Sequence, residues 1–172
     1  MADSPIYTAA VITISDSRAR GEREDKSGPA VAQFLRNLKF AVPAEEVVPD
    51  EPIEIQNALI RRAREVQFIA TTGGTGIASR DVTPEATIAV CDRLVDGIAD
   101  RMRSEGLRKT PFAALSRAVC GVRGCCLILN LPGSPRGAVE SLAAVADLLP
   151  HALELLSGKT EHAARHSAEG KS

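Results

Sequence analysis

The stretch Gln67-Phe68-Ile69-Ala70-Thr71-Thr72-Gly73-Gly74-Thr75-Gly76 decides the fold. A short apolar, β-branched run ends in a glycine cluster, and a helix start follows at Thr83-Pro84. That order reads as a buried strand, a tight loop and a helix, which is one half of a βαβ unit. Working outward, the same grammar repeats. Ile6 to Ile14 (IYTAAVITI) is a strand buried on both faces. A charged loop, Ser15 to Lys26, reads as solvated; Ser27-Gly28-Pro29 then opens a helix with Ser27 as its cap and Val31, Phe34, Leu35 and Leu38 on its apolar face. Ala41 to Val48 is a weaker strand. A helix spans about 52–66, with Ile55, Leu59, Ala63 and Val66 on one face.

Beyond the glycine loop, Thr83 is read as the cap of a helix carrying Ile88 and Val90, and a further helix covers 96–107. Val119 to Arg123 is a short strand and Cys126 to Leu131 a clear one, ending in Pro132-Gly133-Ser134-Pro135. The last amphipathic region, 137–156, is expected to kink or divide at Pro150. Alternating strands and helices imply an α/β fold with a mostly parallel sheet and helices on both faces. Residues 5–158 are expected to form one domain, followed by a polar tail over 159–172 that is read as disordered.

Composition narrows the ligands. The chain has 172 residues, enough for one domain with a substantial core. Lys plus Arg is 21 against 22 for Asp plus Glu, a net charge of −1, so no broad electrostatic footprint for nucleic acid or acidic membranes is expected. One Tyr, four Phe and no Trp argue against base stacking and sugar grooves. With so few rings, any flat ligand would have to rest mainly on backbone, glycine and aliphatic surface. No apolar run reaches the roughly 18 residues of a membrane span, and Met1 to Pro5 lacks the pattern of a secretory signal. Cys91, Cys120, Cys125 and Cys126 form no Cys-x-x-Cys pair and read as reduced thiols of a cytoplasmic protein, with the adjacent Cys125 and Cys126 inside a strand. His162 and His166 are four residues apart in the polar tail and are not read as a metal site.

Parallel α/β sheets bind ligands outside the carboxyl ends of their strands. The unusual loops fall there: Ser15-Asp16, Pro49-Asp50-Glu51, Gly73 to Gly76 with Arg80-Asp81, and Asn130 to Pro135. Gly73, Gly74 and Gly76 permit close backbone approach and an anion nest. No Gly-Lys-Ser/Thr and no Gly-x-Gly-x-x-Gly follows, which weighs against P-loop and nicotinamide chemistry. Ser27, at a helix start, can cap that helix or bond a phosphate. Asp16, Asp50 and Asp81 beside a glycine nest suit Mg²⁺ on phosphates, because carboxylates without a metal repel a polyphosphate. Arg80 and Arg117, taken singly, read as solvated surface arginines that add positive charge.

Thr72 to Gly76 with Arg80-Asp81-Val82-Thr83-Pro84-Glu85-Ala86-Thr87 resembles the molybdopterin-binding family. So do Ser15-Asp16, Ser27-Gly28-Pro29, Val48 to Glu51, Leu115-Ser116-Arg117 and Asn130 to Pro135. The group is MogA/MoaB, including the G domains of gephyrin and its plant counterpart, which Thr110 to Arg117 resembles most. The likeness covers about 6–158. Ile77-Ala78-Ser79 lacks the proline some relatives carry before the Arg-Asp pair.

The resemblance implies a three-layer α/β/α sandwich that assembles as a homotrimer. It implies molybdopterin adenylyltransferase activity, with ATP and molybdopterin as substrates and Mg²⁺ held by the catalytic acids Asp50 and Asp81. Asp16, Ser27, Gly28, Gly73, Gly74, Thr75, Gly76, Ser116, Asn130, Pro132, Gly133 and Ser134 fall in the motifs that line the substrate pocket. A non-catalytic molybdopterin carrier of the same fold is the alternative, and molybdate insertion would need a separate partner protein.

Overall fold

A computed structural model describes residues 7–158. A six-stranded sheet has the order β2-β1-β3-β6-β5-β4. Its strands are β1 (Tyr7–Ile14), β2 (Phe40–Val48), β3 (Phe68–Thr72), β4 (Arg93–Leu94), β5 (Cys120–Arg123) and β6 (Cys126–Leu131). The pairs β1–β2, β1–β3 and β3–β6 are parallel, whereas β5 pairs antiparallel with both β6 and β4. The helices are α1 (Asp16–Ala19), α2 (Ser27–Asn37), α3 (Pro52–Arg62), α4 (Thr83–Val90), α5 (Asp96–Leu107), α6 (Pro135–Ala143) and α7 (Leu149–Leu156), with 3₁₀ turns at Pro111–Leu115 and Ala146–Leu148.

The period-two alternation of the strands sorts the layers. Ala9, Val11, Phe68, Ala70, Leu127 and Leu129 face α2, α5, α6 and α7, packing on Leu35, Met102, Leu142 and Leu153. Ala10, Ile12, Ile14, Ile69 and Ile128 face α3 and α4, packing on Ile55, Leu59 and Val90. This is the expected three-layer sandwich. Burying a side chain such as Leu35 or Ile12 contributes roughly 1.5–3 kcal/mol each.

The chain leaves β1 for β2 on one side and reaches β3 on the other. The strand order therefore reverses between β1 and β3, the place where such sheets bring ligand-binding loops together. Local details depart from expectation. The charged loop begins with a helical turn, α1, whose cap is Ser15. Ser27 and Thr83 lie inside α2 and α4 and cap neither. The last helical region does divide, as expected: it breaks at 144–148, just ahead of Pro150 in the first turn of α7. Cys125 is exposed in the β5–β6 turn, outside the strand in which it was expected. The tail over 159–172, like Met1 to Ile6, lies outside the described residues.

Candidate active site at the carboxyl ends of the parallel strands

Gly73 to Gly76 continues β3 directly. Gly73 has φ +98°, and a Cβ there would lie 2.3 Å from the Ile14 carbonyl oxygen at the end of β1. Only glycine fits both the dihedral and the space. Gly74 is also left-handed, and a Cβ on it would meet Thr83 Oγ1 at 2.3 Å and Asp50 Oδ1 at 3.1 Å. Thr83 Oγ1 donates to the Gly73 carbonyl at 2.9 Å, and the Thr83 amide to the Gly74 carbonyl at 3.1 Å. The first residue of α4 thus fastens the glycine loop instead of capping its own helix. From the β6 side, Gly73 N–H donates to the Leu131 carbonyl at 3.1 Å, and Gly133 closes on the Gly73 Cα.

Asp81 follows on the same loop. Its Oδ2 accepts from Ala78 N–H at 2.9 Å. A Cβ on Gly76 would come within 2.8 Å of that oxygen, so Gly76 leaves room for the carboxylate. Arg117 holds the segment from outside, with Nε donating to the Gly76 carbonyl at 2.6 Å and Nη2 to the Asp81 carbonyl at 2.5 Å. It is not the free surface cation read from sequence.

Asp16 and Asp50 cross-link the ends of β1 and β2. Asp16 N–H donates to Asp50 Oδ2 at 2.8 Å and Asp50 N–H to Asp16 Oδ1 at 3.0 Å. Arg80 closes over Asp16 through two bonds at 3.1 and 2.8 Å, and reaches Glu51 at 2.8 Å. The Arg80 hydrogen bond holds Asp16 below the usual carboxylate range, and the Asp50 amide adds to this. Burial pushes Asp50 the other way, above that range; the charges of Asp16 and Asp81 add to the rise, while the Asp16 amide and Arg80 oppose it. The expected three-acid cluster is not assembled. Among the described residues, no group of three or more His, Cys, Asp or Glu side chains is placed to hold a metal. Asp16 is already engaged by Arg80, which leaves Asp50 beside Gly74 and Asp81 beside Gly76.

Ser27 and Gly28 are buried at the N-terminus of α2. A feature missed in sequence explains them: Asp25 Oδ1 accepts from the amides of Ser27 and Gly28 at 3.1 and 3.2 Å, and Asp25 Oδ2 from Thr13 Oγ1 at 2.6 Å. This carboxylate occupies the place where sequence reasoning allowed a phosphate. Ser27 Oγ lies 2.9 Å from Thr72 Oγ1 and so braces the strand that leads into Gly73. Asn130 is likewise structural in its contacts, because its fully buried amide donates to Thr71 and Thr87 at 3.0 and 2.9 Å and accepts from Val119 N–H.

A cavity of about 620 Å³ opens beside this frame. Gly74, Thr75, Gly76, Asp81, Ser116, Pro132, Gly133 and Ser134 line it, so eight of the expected site residues meet on its wall. Asp16, Ser27, Gly28, Asp50, Gly73 and Asn130 are not among the lining residues. The rest of the wall comes from the end of α5, the 3₁₀ turn and α6, including Gly106, Phe112, Ala113, Leu115 and Ala144. Phe112 adds one ring, 75% exposed, to a wall expected to be backbone, glycine and aliphatic surface. Cys91, Cys120 and Cys126 lie outside the cavity lining, the first partly buried and the other two in the core, and burial pushes them up to about 11, 12 and 12, so they stay protonated. No helix among the described residues is long and apolar enough to cross a membrane.

A mostly parallel α/β sheet with an acid-edged, mostly apolar cavity at the carboxyl ends of β3 and β6 defines a domain that binds a small molecule at its strand ends. Residues 10–151 match the model of a probable molybdopterin binding domain, and the chain belongs to this family of molybdenum cofactor biosynthesis proteins. It is 40% identical to a molybdopterin adenylyltransferase of Helicobacter pylori (strain J99) over 153 residues, covering 86% of each chain. Identity is 38% over 165 residues to the Escherichia coli protein of the same name, covering 86% of this chain and 84% of that one. Among solved structures, the molybdopterin biosynthesis enzyme MoaB of Thermus thermophilus superposes with a TM-score of 0.83 at 52% identity, covering 89% of this chain and 98% of that chain.

Proposed function

We propose that this protein is a molybdopterin adenylyltransferase, transferring AMP from ATP to the terminal phosphate of molybdopterin. A phosphate oxygen of the pterin attacks the α-phosphorus of ATP. The bond from that phosphorus to the bridging oxygen breaks, and its electron pair leaves with pyrophosphate. Such transfers need little covalent work from the protein; positioning and charge stabilisation dominate.

The observation that carries the reading is Asp81 beside the glycine loop on the wall of a mostly apolar cavity whose other charged residues, Glu105, Lys109 and Glu140, come from α5, the turn after it and α6. The acid suits the reacting phosphates once a divalent cation bridges the like charges, and the apolar wall with Phe112 suits a flat heterocycle. The relatives named molybdopterin adenylyltransferase support the same reading. Asp81, Glu105 and Glu140 face Lys109 as the one basic residue of the lining, a balance that repels a polyphosphate unless a divalent cation accompanies it. Asp50 and Asp81 are the residues to hold Mg²⁺, which takes one or two carboxylates besides phosphate oxygens and neutralises charge on them. Gly74 to Gly76 present backbone at the reacting groups, and Ser134, which caps α6 by accepting from Gly137 N–H at 3.1 Å, borders the same space.

We take the working form to be a cytoplasmic homotrimer that passes its product to a separate molybdate-inserting protein. The test is to incubate the protein with molybdopterin and Mg-ATP and assay adenylylated pterin and pyrophosphate in equal amounts. Asp81→Ala is expected to lower turnover by about 10²-fold or more, as for other groups aimed at transition-state charge. Tight pterin binding with neither product formed would instead assign the carrier role.

A further inference from the structure

We propose that Arg117 is a positioning residue for this transfer, a clamp that fixes Asp81 against the glycine loop. The proposal rests on the adenylyltransferase reading and adds a residue to it. The segment from Gly76 to Asp81 has little support of its own. Residues 77–80 are exposed, Ile77 by 70%, and the internal bonds of the segment are those between Ala78 and Asp81. Its two ends are held by one guanidinium, through Nε to the Gly76 carbonyl and Nη2 to the Asp81 carbonyl. Nη1 pairs with Glu85 on α4, which orients the planar group. The Arg117 amide donates to the Thr75 carbonyl at 2.9 Å, so main chain and side chain grip the same loop.

The donors point at carbonyl oxygens, and Arg117 does not line the cavity, although its neighbour Ser116 does. Arg117 therefore acts through Asp81 and not on a ligand. Two fixed donors spaced for two carbonyls are what a guanidinium supplies; a lysine ammonium is a point donor on a flexible stem and cannot span both. A loop loosened by about an ångström misplaces the carboxylate, and misplacement on that scale can cost about 10²-fold in rate.

The test compares Arg117→Lys and Arg117→Ala with the wild type, measuring kcat, KM and amide hydrogen exchange over residues 76–82. Both variants are expected to lose about 10²-fold in kcat with KM changed by less than roughly threefold. Exchange in the loop is expected to rise roughly tenfold or more. Added guanidinium is expected to restore part of the turnover of Arg117→Ala. Wild-type kcat in either variant overturns the proposal. So does a rise in KM alone, or a fall in kcat with loop exchange unchanged, since Arg117 then acts on a ligand directly. If both variants fail to fold, Glu85→Gln decides: it leaves both carbonyl bonds in place and is expected to raise loop exchange and lower kcat by a smaller factor, and wild-type behaviour in it overturns the clamp. Should the wild type make no adenylylated pterin, the functional reading fails, while the exchange measurement still decides the clamp.

Discussion

The two acid-bearing groups of strand ends are built by different means. At the end of β3, Asp81 is held by backbone and close packing. Gly73 touches the Ile14 carbonyl, Gly133 closes on Gly73, and Thr83 and Arg117 bond main-chain carbonyls. At the ends of β1 and β2, Asp16 accepts the Asp50 amide and is closed over by charge, through a half-exposed Arg80 shared with a half-exposed Glu51. Steric contacts ignore ionic strength, whereas exposed ion pairs are screened by salt and contribute about 0–1 kcal/mol. The first edge is thus a fixed frame and the second an adjustable one. Asp50 belongs to both, bonded to the Asp16 amide and lying against Gly74.

The largest effect is expected where packing alone holds the frame. Gly73→Ala brings a Cβ to within 2.3 Å of a backbone oxygen at φ +98°. Backbone cannot swing away as a side-chain tip can, so overpacking and left-handed strain combine to cost about 3 kcal/mol or more. Urea unfolding is expected to show a lower midpoint at an unchanged slope, together with loss of turnover. A cost under about 1 kcal/mol would mean that the β1 and β3 ends slide freely, and the contrast between the two edges would collapse.

A smaller effect probes the charged edge. Ionised Asp50 is the form that can hold a cation, so kcat/KM is expected to fall on the acid side with a midpoint above the ordinary carboxylate value of 3.8. Arg80 opposes the rise in Asp50, so Arg80→Ala is expected to move that midpoint to higher pH. An unmoved or lowered midpoint would detach Arg80 from the site. The effects on stability run in opposite senses. Asp50, raised in the fold, contributes most below its unfolded pKa, and that contribution is lost as pH rises through the folded one. Asp16, lowered in the fold, contributes above its unfolded pKa and loses that contribution as pH falls through the folded one.

The fold was legible where one period dominated. β1, β3 and β6 are buried on both faces and read as apolar runs, and α2 and α3 carry clear stripes. β2 read weakly because it is an edge strand interrupted at Pro43, near which its register with β1 shifts. β4, with two residues, carries no period at all. Strand-end placement brought Asp81 to the cavity together with both glycine loops. What stayed hidden were side chains bonded to main chain: Arg117 on two carbonyls, Asp25 on the amides of α2, Thr83 on Gly73. Backbone partners leave no pattern in sequence, since any residue can supply a carbonyl or an amide. The pairing of Asp16 with Arg80 joins residues 64 positions apart, a separation that only the topology closes.

The smallest expected effect supplies the control that gives the first its meaning. Gly21, in the charged loop after β1, has φ +73°, close in kind to Gly73, yet a Cβ there would meet nothing within 4 Å. Gly21→Ala therefore carries only left-handed strain, about 1–2 kcal/mol, reduced by about 0.4–1 kcal/mol because alanine also restricts the unfolded chain. A net loss near or below about 1 kcal/mol is expected, with turnover intact. Both substitutions place alanine at positive φ, so the difference between their unfolding free energies isolates the approach of Gly73 to the Ile14 carbonyl. Equal losses would assign the cost of Gly73→Ala to its dihedral alone, and the β3 edge would then owe its rigidity to hydrogen bonds and not to steric contact.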